Sequence, residues 1–311
     1  MVTTLLERLT SLSVTGIDLG SATLKVVQLD RVDGQTVLRG CVVADVSDQT
    51  AVIRTLTKFF SLAGRKLGEA AIALASPELI VKPVSFPAMP KRELAGAIRL
   101  EAEQAVLNGH TLDEVAMDWH PLTSESRQSI RGLLAVVPKS AVASRLQLAQ
   151  SAGLKPVVVD VEGLALWNAY WALVGSRDAE RRTSTVLLVN VGAATTNLVI
   201  AKGPDELLLV RDLRLGGQAL GDGRQADWLS EIRDSLAYAR SKTGLRALDA
   251  VSVSGGFASQ AIGPLQSAMD APITQWNPLE QLARDEHSPD VDLALGPLLA
   301  VAIGLALRQP S

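Results

Sequence analysis

Hydrophobic residues in this chain form two similar blocks, one near the start and one past the middle. The first reads VTGIDLGSATLKVVQLDRVDGQTVLRG over residues 14–40, and the second reads VLLVNVGAATTNLVIAKGPDELLLVRD over residues 186–212. Each block has an apolar run, a turn that contains glycine, a second run, a second turn and a third run. This alternation predicts a three-stranded meander in each block. Two copies in one chain predict two related α/β lobes that face a shared cleft.

The residues between the two blocks show both helical and strand periodicity. Four prolines between Ser76 and Pro90 predict a boundary or an extended crossing, because proline interrupts helices and strand ladders. The elements expected in this part of the chain are helices over 47–63, 91–107 and 139–152 and strands over 69–75, 115–122 and 129–137. Residues 80–155, which begin within this proline-rich part, are expected to form a compact α+β insert within the first lobe.

The second half of the chain repeats the alternation of strands and helices. The elements expected there are strands over 157–160, 186–190, 195–201, 206–213, 250–253 and 272–275 and helices over 162–173, 227–241, 257–269 and 293–307. The resulting division is an N-terminal amphipathic segment (1–13), a first-lobe core (14–79), the insert (80–155), a return and crossing (156–183), the second lobe (184–290) and a C-terminal helix (291–311).

Composition narrows the classes of function. The chain has 311 residues, 47% of them hydrophobic, and a net charge of −3, which gives no electrostatic basis for binding nucleic acid. The single cysteine, Cys41, excludes an internal disulfide. The longest apolar run, Leu293–Leu307, is shorter than the ~20 residues of a spanning helix, so we expect a buried helix, no membrane span and a cytoplasmic location.

The glycine turns are candidates for a ligand-binding site. Glycine lets the backbone approach a phosphate, and consecutive N–H groups of a turn can bind it. In the first turn, Asp18-x-Gly20-Ser21, Asp18 is a candidate Mg²⁺ ligand through water, and Lys25 can reach a phosphate. The second turn is Asn190-x-Gly192-Ala193, and Gly255-Gly256 follows a strand at the start of a helix. One such turn alone fits a structural β-turn, whereas three together favour a phosphate site.

At these residues the chain resembles the actin-like superfamily of actin, hexokinase and FtsA, whose two lobes have a duplicated ribonuclease H-like fold. Within that superfamily it is most similar to PilM-like proteins of type IV pilus assembly. The resemblance is carried by the segments at 16–29, 86–106, 160–169, 189–200, 211–220, 229–240, 251–258 and 302–308.

The resemblance implies both a cleft ligand and a partner. It implies ATP with Mg²⁺ in the cleft, on the residues Asp18, Gly20, Ser21, Lys25, Asn190, Gly192, Ala193, Thr195, Gly255 and Gly256. It also implies that the insert binds the cytoplasmic N-terminal tail of a PilN-like inner-membrane protein, which would hold the chain at the membrane periphery. Leu94, Ile98 and Leu146 are the residues expected to line that groove.

Two departures from the family pattern weaken the nucleotide site. Asn190 stands where relatives that use nucleotides have aspartate, and an amide attracts a divalent cation much less than a carboxylate and cannot act as a general base. The family's helical subdomain after Gly216-Gly217 is reduced or missing, since only Gly221–Trp228 separates that segment from the next helix. We therefore expect no catalytic residue and a weakened or lost ATP–Mg site.

Several functions remain open from the sequence. The first is a scaffold without nucleotide hydrolysis in a pilus or type II secretion-like machine. The alternative is an active ATPase or phosphotransferase that binds ATP–Mg between the lobes. A filament of the FtsA kind and a homodimer are both compatible with the chain. The related secretion protein GspL is less similar, because its relatives carry a membrane helix and a periplasmic domain that we do not find here.

Overall fold

The computed structural model describes residues 14–46, 49–62, 69–76, 78–106, 110–122, 128–175 and 183–308. The N-terminal amphipathic segment predicted for 1–13 lies outside these residues, as does most of the crossing predicted before Thr183. The chain is of the α/β class, as its pattern predicted, and its strands form two sheets of five and eight strands.

The first sheet contains the first hydrophobic block. Its strands, in spatial order, are β3 (Gln35–Asp45), β2 (Thr23–Val32), β1 (Thr15–Leu19), β4 (Glu69–Leu74) and β8 (Lys155–Val161). The first three are antiparallel, whereas β4 and β8 run parallel to β1. The β2–β3 turn has positive φ at Asp33 (50°) and Gly34 (78°), as a two-residue hairpin of this hand requires. Helices α1 (Gln49–Leu62) and α3 (Lys139–Ser151) pack on this sheet.

The second sheet repeats the same order with the second block. The strands of this part are β13 (Ile273–Gln275), β12 (Ala250–Ser254), β9 (Thr185–Val191), β10 (Thr196–Lys202) and β11 (Glu206–Leu213). Strands β9–β11 are antiparallel and β12 runs parallel to β9, as β4 does to β1. Two helices, α6 (Gln225–Thr243) and α7 (Ala258–Gln266), bury Trp228, Ile232 and Leu265 against it.

The predicted insert contacts both sheets, and its strands join the second. Its strands β5 (Ile80–Pro87), β7 (Ser129–Pro138) and β6 (Val115–Leu122) extend the second sheet beyond β11, although β5 meets β11 only at Val81 and Val210. Helix α2 (Lys91–Ala105) covers these strands, whereas α3 packs on the first sheet. Pro83 and Pro87 lie in a strand because the side of β5 opposite β7 is unpaired at both positions, so no ladder hydrogen bond is lost there.

Two short helices join the lobes. Helix α4 (Glu162–Tyr170) continues as a wider turn over Trp171–Gly175, and α8 (Ala300–Ala306) is fully buried. A Cβ on Gly304 would lie 1.8 Å from the carbonyl oxygen of Ala165, and one on Gly16 would lie 2.1 Å from that of Ala302. Glycine at both positions therefore lets α8 pack between β1 and α4 at backbone contact.

The C-terminal helix is shorter than its hydrophobic pattern predicted. Residues 293–299 form two 3-10 turns, and only Ala300–Ala306 is α-helical. Gly296 and Pro297 explain the difference, because neither residue favours the interior of an α-helix. The helix is buried, as predicted. Among the described residues, no helix combines the length and the apolar composition that a membrane crossing requires.

The second lobe lacks room for a further subdomain between β11 and α6. Only the short helix α5 (Gln218–Gly221) lies there, and all residues from Gly221 to Asp227 are exposed. This agrees with the reduced or missing second-lobe subdomain that the sequence predicted, and it leaves the cleft beside α6 without a cover from that segment.

Candidate functional site in the cleft

The two glycine turns lie opposite each other between the sheets and have the same backbone geometry. The N–H of Gly20 donates to the carbonyl of Thr23 at 3.0 Å, and the N–H of Gly192 donates to that of Thr195 at 2.9 Å. A cavity of about 250 Å³ lies between them. All the residues predicted for the cleft line this one cavity: Asp18, Gly20, Ser21, Lys25, Asn190, Gly192, Ala193, Thr195, Gly255 and Gly256. That they bind a nucleotide stays a prediction.

The third turn closes one end of the cavity. Gly255 has φ of +94°, and a Cβ there would lie 2.4 Å from the carbonyl oxygen of Val191. Phe257 follows, and its N–H donates to the same carbonyl at 3.1 Å. Glycine is thus required at 255 both for its conformation and for the close contact with β9. Phe257 and Leu298 give this end of the cavity an apolar surface.

The polar end of the cavity in the first lobe is a buried ion pair. Asp18 and Lys25 are opposite residues of β1 and β2, and Lys25 Nζ donates to Asp18 Oδ2 at 2.9 Å. Both side chains are at least nine-tenths buried. A Cβ on Gly20 would lie 2.8 Å from Lys25 Nζ, so the ammonium lies directly against the first glycine turn.

The corresponding position in the second lobe holds a pair of amides. Asn190 and Asn197 are opposite residues of β9 and β10, and Asn190 Nδ2 donates to Asn197 Oδ1 at 2.8 Å. Ser254 Oγ donates to Asn190 Oδ1 at 3.3 Å. Asn197 Nδ2 then donates to two carboxylates, Glu162 Oε2 at 3.0 Å and Asp212 Oδ1 at 2.8 Å. One neutral amide therefore bridges two buried acids.

Burial determines the protonation of these two acids. Desolvation is the main cause that raises the pKa of Glu162 from 4.5 to about 7, and the negative charges of Asp18 and then Asp212 add to it. The hydrogen bond from Asn197 acts in the opposite direction. Desolvation also raises the pKa of Asp212 from 3.8 to about 6. The carboxyl group of Glu162 lines the cavity, so the cavity holds an acid whose ionisation is shifted toward neutral pH.

Sequence reasoning missed Glu162, Asn197, Asp212 and Phe257. Asn197 follows Asn190 by seven residues, the same separation as Asp18 and Lys25, so the alignment of the two blocks contained the signal. Glu162 begins α4 at the end of β8, a position whose proximity to the cleft depends on how the lobes pack. No local pattern marks it.

The residues that a magnesium ion would need do not fit that ion here. The carboxylate of Asp18 is bound to Lys25, Asn190 is uncharged with its amide oxygen and nitrogen both bonded, and Glu162 has a pKa near neutrality. Mg²⁺ takes hard oxygen ligands, and proteins usually hold it through one or two carboxylates together with water and substrate phosphates. Within the described ranges, no group of three or more His, Cys, Asp or Glu side chains is placed to hold a metal.

The residues predicted to bind a partner are divided between two helices. Leu94 and Ile98 lie half-buried on α2, and Ile98 packs against the cluster under that helix. Leu146 lies on α3 and packs against the first-lobe core around Ile17 and Leu56. The structure therefore does not bring Leu146 to the same apolar cluster as Ile98. Leu100, which the sequence reasoning did not single out, is 56% exposed on α2.

Two lobes built on a duplicated meander, with a cleft lined by glycine turns from both, define an actin-like fold. A family model described as type IV pilus assembly protein PilM matches residues 9–225. The chain belongs to this family.

One solved structure matches this fold over nearly the whole chain, and two others are similar at lower scores. A structure of a PilM–PilN type IV pilus biogenesis complex is similar at 24% identity and a TM-score of 0.80, over 96% of this chain and 98% of that chain. The cytoplasmic domain of EpsL, an inner-membrane component of the type II secretion system of Vibrio cholerae, has 12% identity and a TM-score of 0.48 over 94% of each chain. The ethanolamine utilization protein EutJ from Carboxydothermus hydrogenoformans has 15% identity and a TM-score of 0.45 over 96% and 93%.

Proposed function

We propose that this chain is a cytoplasmic scaffold of a type IV pilus or type II secretion-like machine. In this proposal residues 80–155 bind the N-terminal cytoplasmic tail of a PilN-like inner-membrane protein, and nucleotide hydrolysis is degraded or lost. Membership of the PilM family supports the machine, and the likeness to a PilM–PilN complex supports the partner. A homodimer remains compatible with this role.

The exposed apolar side chains are the observation that carries the location of the partner site. Leu100 on α2 and Met117 on β6 are 56% and 44% exposed, and both belong to the insert. Leu94 and Ile98 lie half-buried on the same helix as Leu100. Large apolar side chains that are exposed on one part of a protein are candidate contacts for another protein. We therefore place the tail along α2 and assign Leu146 a structural role instead.

A fluorescence titration with a synthetic PilN-like N-terminal peptide tests this proposal. We expect Leu100→Glu to weaken binding at least about tenfold, because a charge would be buried in an apolar contact. Tyr238→Glu is the matched control, since Tyr238 is 53% exposed on α6 in the other lobe. Leu146→Ala should lower the unfolding temperature and leave the affinity of the folded protein unchanged. Equal binding by wild type, Leu100→Glu and Tyr238→Glu would contradict the placement on α2.

A second candidate function is supported by Glu162. A carboxyl group with a pKa of about 7 that lines a cavity with three glycine turns is suited to general acid–base work on a bound nucleotide. We infer that the active alternative, an ATPase or phosphotransferase, would use this group. Calorimetry with ATP, together with a phosphate-release assay on wild type and Glu162→Gln, separates the candidates. Phosphate release that Glu162→Gln abolishes would favour the enzyme over the scaffold.

A further inference from the structure

We propose that the cleft binds a phosphate-bearing ligand without a divalent metal ion, directly on Lys25 and the two glycine turns. The inference rests on the ligand of the second candidate function, a nucleotide phosphate, and narrows how that ligand is held. A nucleotide bound in this way is a fixed ligand of the scaffold, because phosphoryl transfer in nucleotide-hydrolysing enzymes relies on a metal to neutralise developing charge.

The first argument is that the first-lobe carboxylate already has a counter-ion. Asp18 and Lys25 form a buried pair with 2.9 Å between Oδ2 and Nζ. A metal placed on Asp18 would lie close to the ammonium group, and like charges at short range in a buried site repel strongly. Lys25 thus occupies the position in which a cation would otherwise neutralise Asp18.

The second argument concerns the lobe opposite. Asn190 Nδ2 donates a hydrogen bond to Asn197, and Asn190 Oδ1 accepts one from Ser254. Both polar atoms of the Asn190 amide are therefore hydrogen-bonded within the protein. Glu162 lines the cavity, and its Oε2 accepts a hydrogen bond from the neutral amide of Asn197. Asp18 on β1 and Asp212 on β11 face it as like charges, with Lys25 on β2 as the opposing charge. This environment raises the pKa of Glu162 to about 7, which weakens the carboxyl group as a metal ligand near neutral pH.

The third argument is that an anion would find donors already in place. Lys25 Nζ lies against the Gly20 turn, close enough that a Cβ on Gly20 would be 2.8 Å away. The glycine turns of both lobes line the same cavity. The N–H groups of Gly20 and Gly192 close their turns, so the donors that the turns offer to phosphate oxygens are the N–H groups of the residues that follow, Ser21 and Ala193. A protonated Glu162 is a further hydroxyl donor. When Glu162 is protonated, the charges of Asp18 and Lys25 cancel, and the anion then meets no net negative charge from the side chains that line the cavity.

Calorimetric titration of the full chain with ATP, once with excess EDTA and once with excess MgCl₂, tests the inference. We expect the two affinities to agree within about twofold. An affinity at least about tenfold higher with Mg²⁺ would overturn the inference and leave the second candidate function standing. Absence of binding in both buffers would overturn the inference and the second candidate together, and the scaffold proposal is tested separately by the peptide titration.

Substitutions of Asn190 test whether its neutral amide is the reason that Mg²⁺ does not raise the affinity for ATP. Asn190→Asp places a carboxylate opposite Asp18, and we expect Mg²⁺ to raise its ATP affinity at least about tenfold. Asn190→Ser removes the amide without adding charge, and we expect its ATP affinity to be the same with and without Mg²⁺. An Asn190→Asp protein that folds and remains indifferent would contradict the assignment. If it does not fold, the neutral double variant Asp18→Asn with Lys25→Met decides instead, because it should lose ATP binding in EDTA, and retained affinity would contradict the role of Lys25.

Discussion

The first and second glycine hairpins have the same backbone and different chemistry. In each, two opposite residues of adjacent strands lie seven positions apart, and a glycine N–H closes the turn onto a threonine carbonyl. The first hairpin places an ion pair, Asp18 and Lys25, between its strands. The second places two amides, Asn190 and Asn197. The duplicated fold therefore preserves a backbone frame and leaves the polar pair free to differ.

The difference lies in how each lobe partners the polar side chains of its hairpin. In the first hairpin the charges of Asp18 and Lys25 compensate each other within one contact of 2.9 Å. In the second, the amides bond to three residues on three further elements, since Asn190 accepts from Ser254 and Asn197 donates to Glu162 and Asp212. Stabilisation is thus concentrated in the first lobe and distributed in the second. Glu162 lies on α4, so the distributed network also connects the second sheet to the helix that joins the lobes.

Breaking the ion pair of Asp18 and Lys25 should have the largest effect on the free energy of unfolding. Lys25→Met leaves the buried Asp18 without a counter-ion, and we expect the free energy of unfolding to fall by about 3–5 kcal/mol. Urea denaturation measures this. The double variant Asp18→Asn with Lys25→Met removes both charges and should recover most of the loss. If the double variant is as unstable as Lys25→Met, the loss comes from packing of the lysine chain, and the contrast between the hairpins is smaller than we infer.

The hairpins themselves were the most predictable part of the fold. Apolar alternation and glycine are local signals, and the structure confirms the α/β class and the strands of both blocks to within a few residues. The position of the insert was not predictable in the same way. Strand β5 joins β11 through the single pair Val81 and Val210. The hydrophobic periodicity of a strand does not indicate such a long-range contact. The cleft residues could be predicted from the aligned turns, whereas Glu162 could not, because its place depends on the packing of α4 between the sheets.

The distributed network should make stability depend on pH. Glu162 has a pKa of about 7 in the folded chain and an ordinary value of 4.5, so the folded state binds more protons between these values. Stability is therefore highest below about pH 4.5 for this group and falls as the pH rises toward 7. Asp212, with a pKa raised to about 6, acts with the same sign. We expect the Glu162 contribution to reach roughly 2–3 kcal/mol, measured as unfolding free energy across this range.

Glu162→Gln is the variant that isolates this contribution, because glutamine resembles the protonated acid. Its unfolding free energy should exceed that of wild type at about pH 8 and lose much of the fall with pH. Asp212→Asn is the comparison, and it should remove a smaller part of the slope. The two acids share the amide of Asn197, so their contributions need not add. A Glu162→Gln protein with the wild-type slope would show that Glu162 is ionised in the cleft.

Removing one outer bond of the amide network should have the smallest effect. Ser254→Ala deletes the hydroxyl that donates to Asn190 Oδ1 at 3.3 Å and leaves the bond between Asn190 and Asn197 in place. We expect the free energy of unfolding to fall by about 0.5–1 kcal/mol, measured in urea, because the lost bond is long and neutral. A double-mutant cycle with Asn197→Ala should then show coupling, since both residues bond to Asn190. A loss for Ser254→Ala as large as that for Lys25→Met would contradict a distributed network, because one bond would then carry what we assign to several.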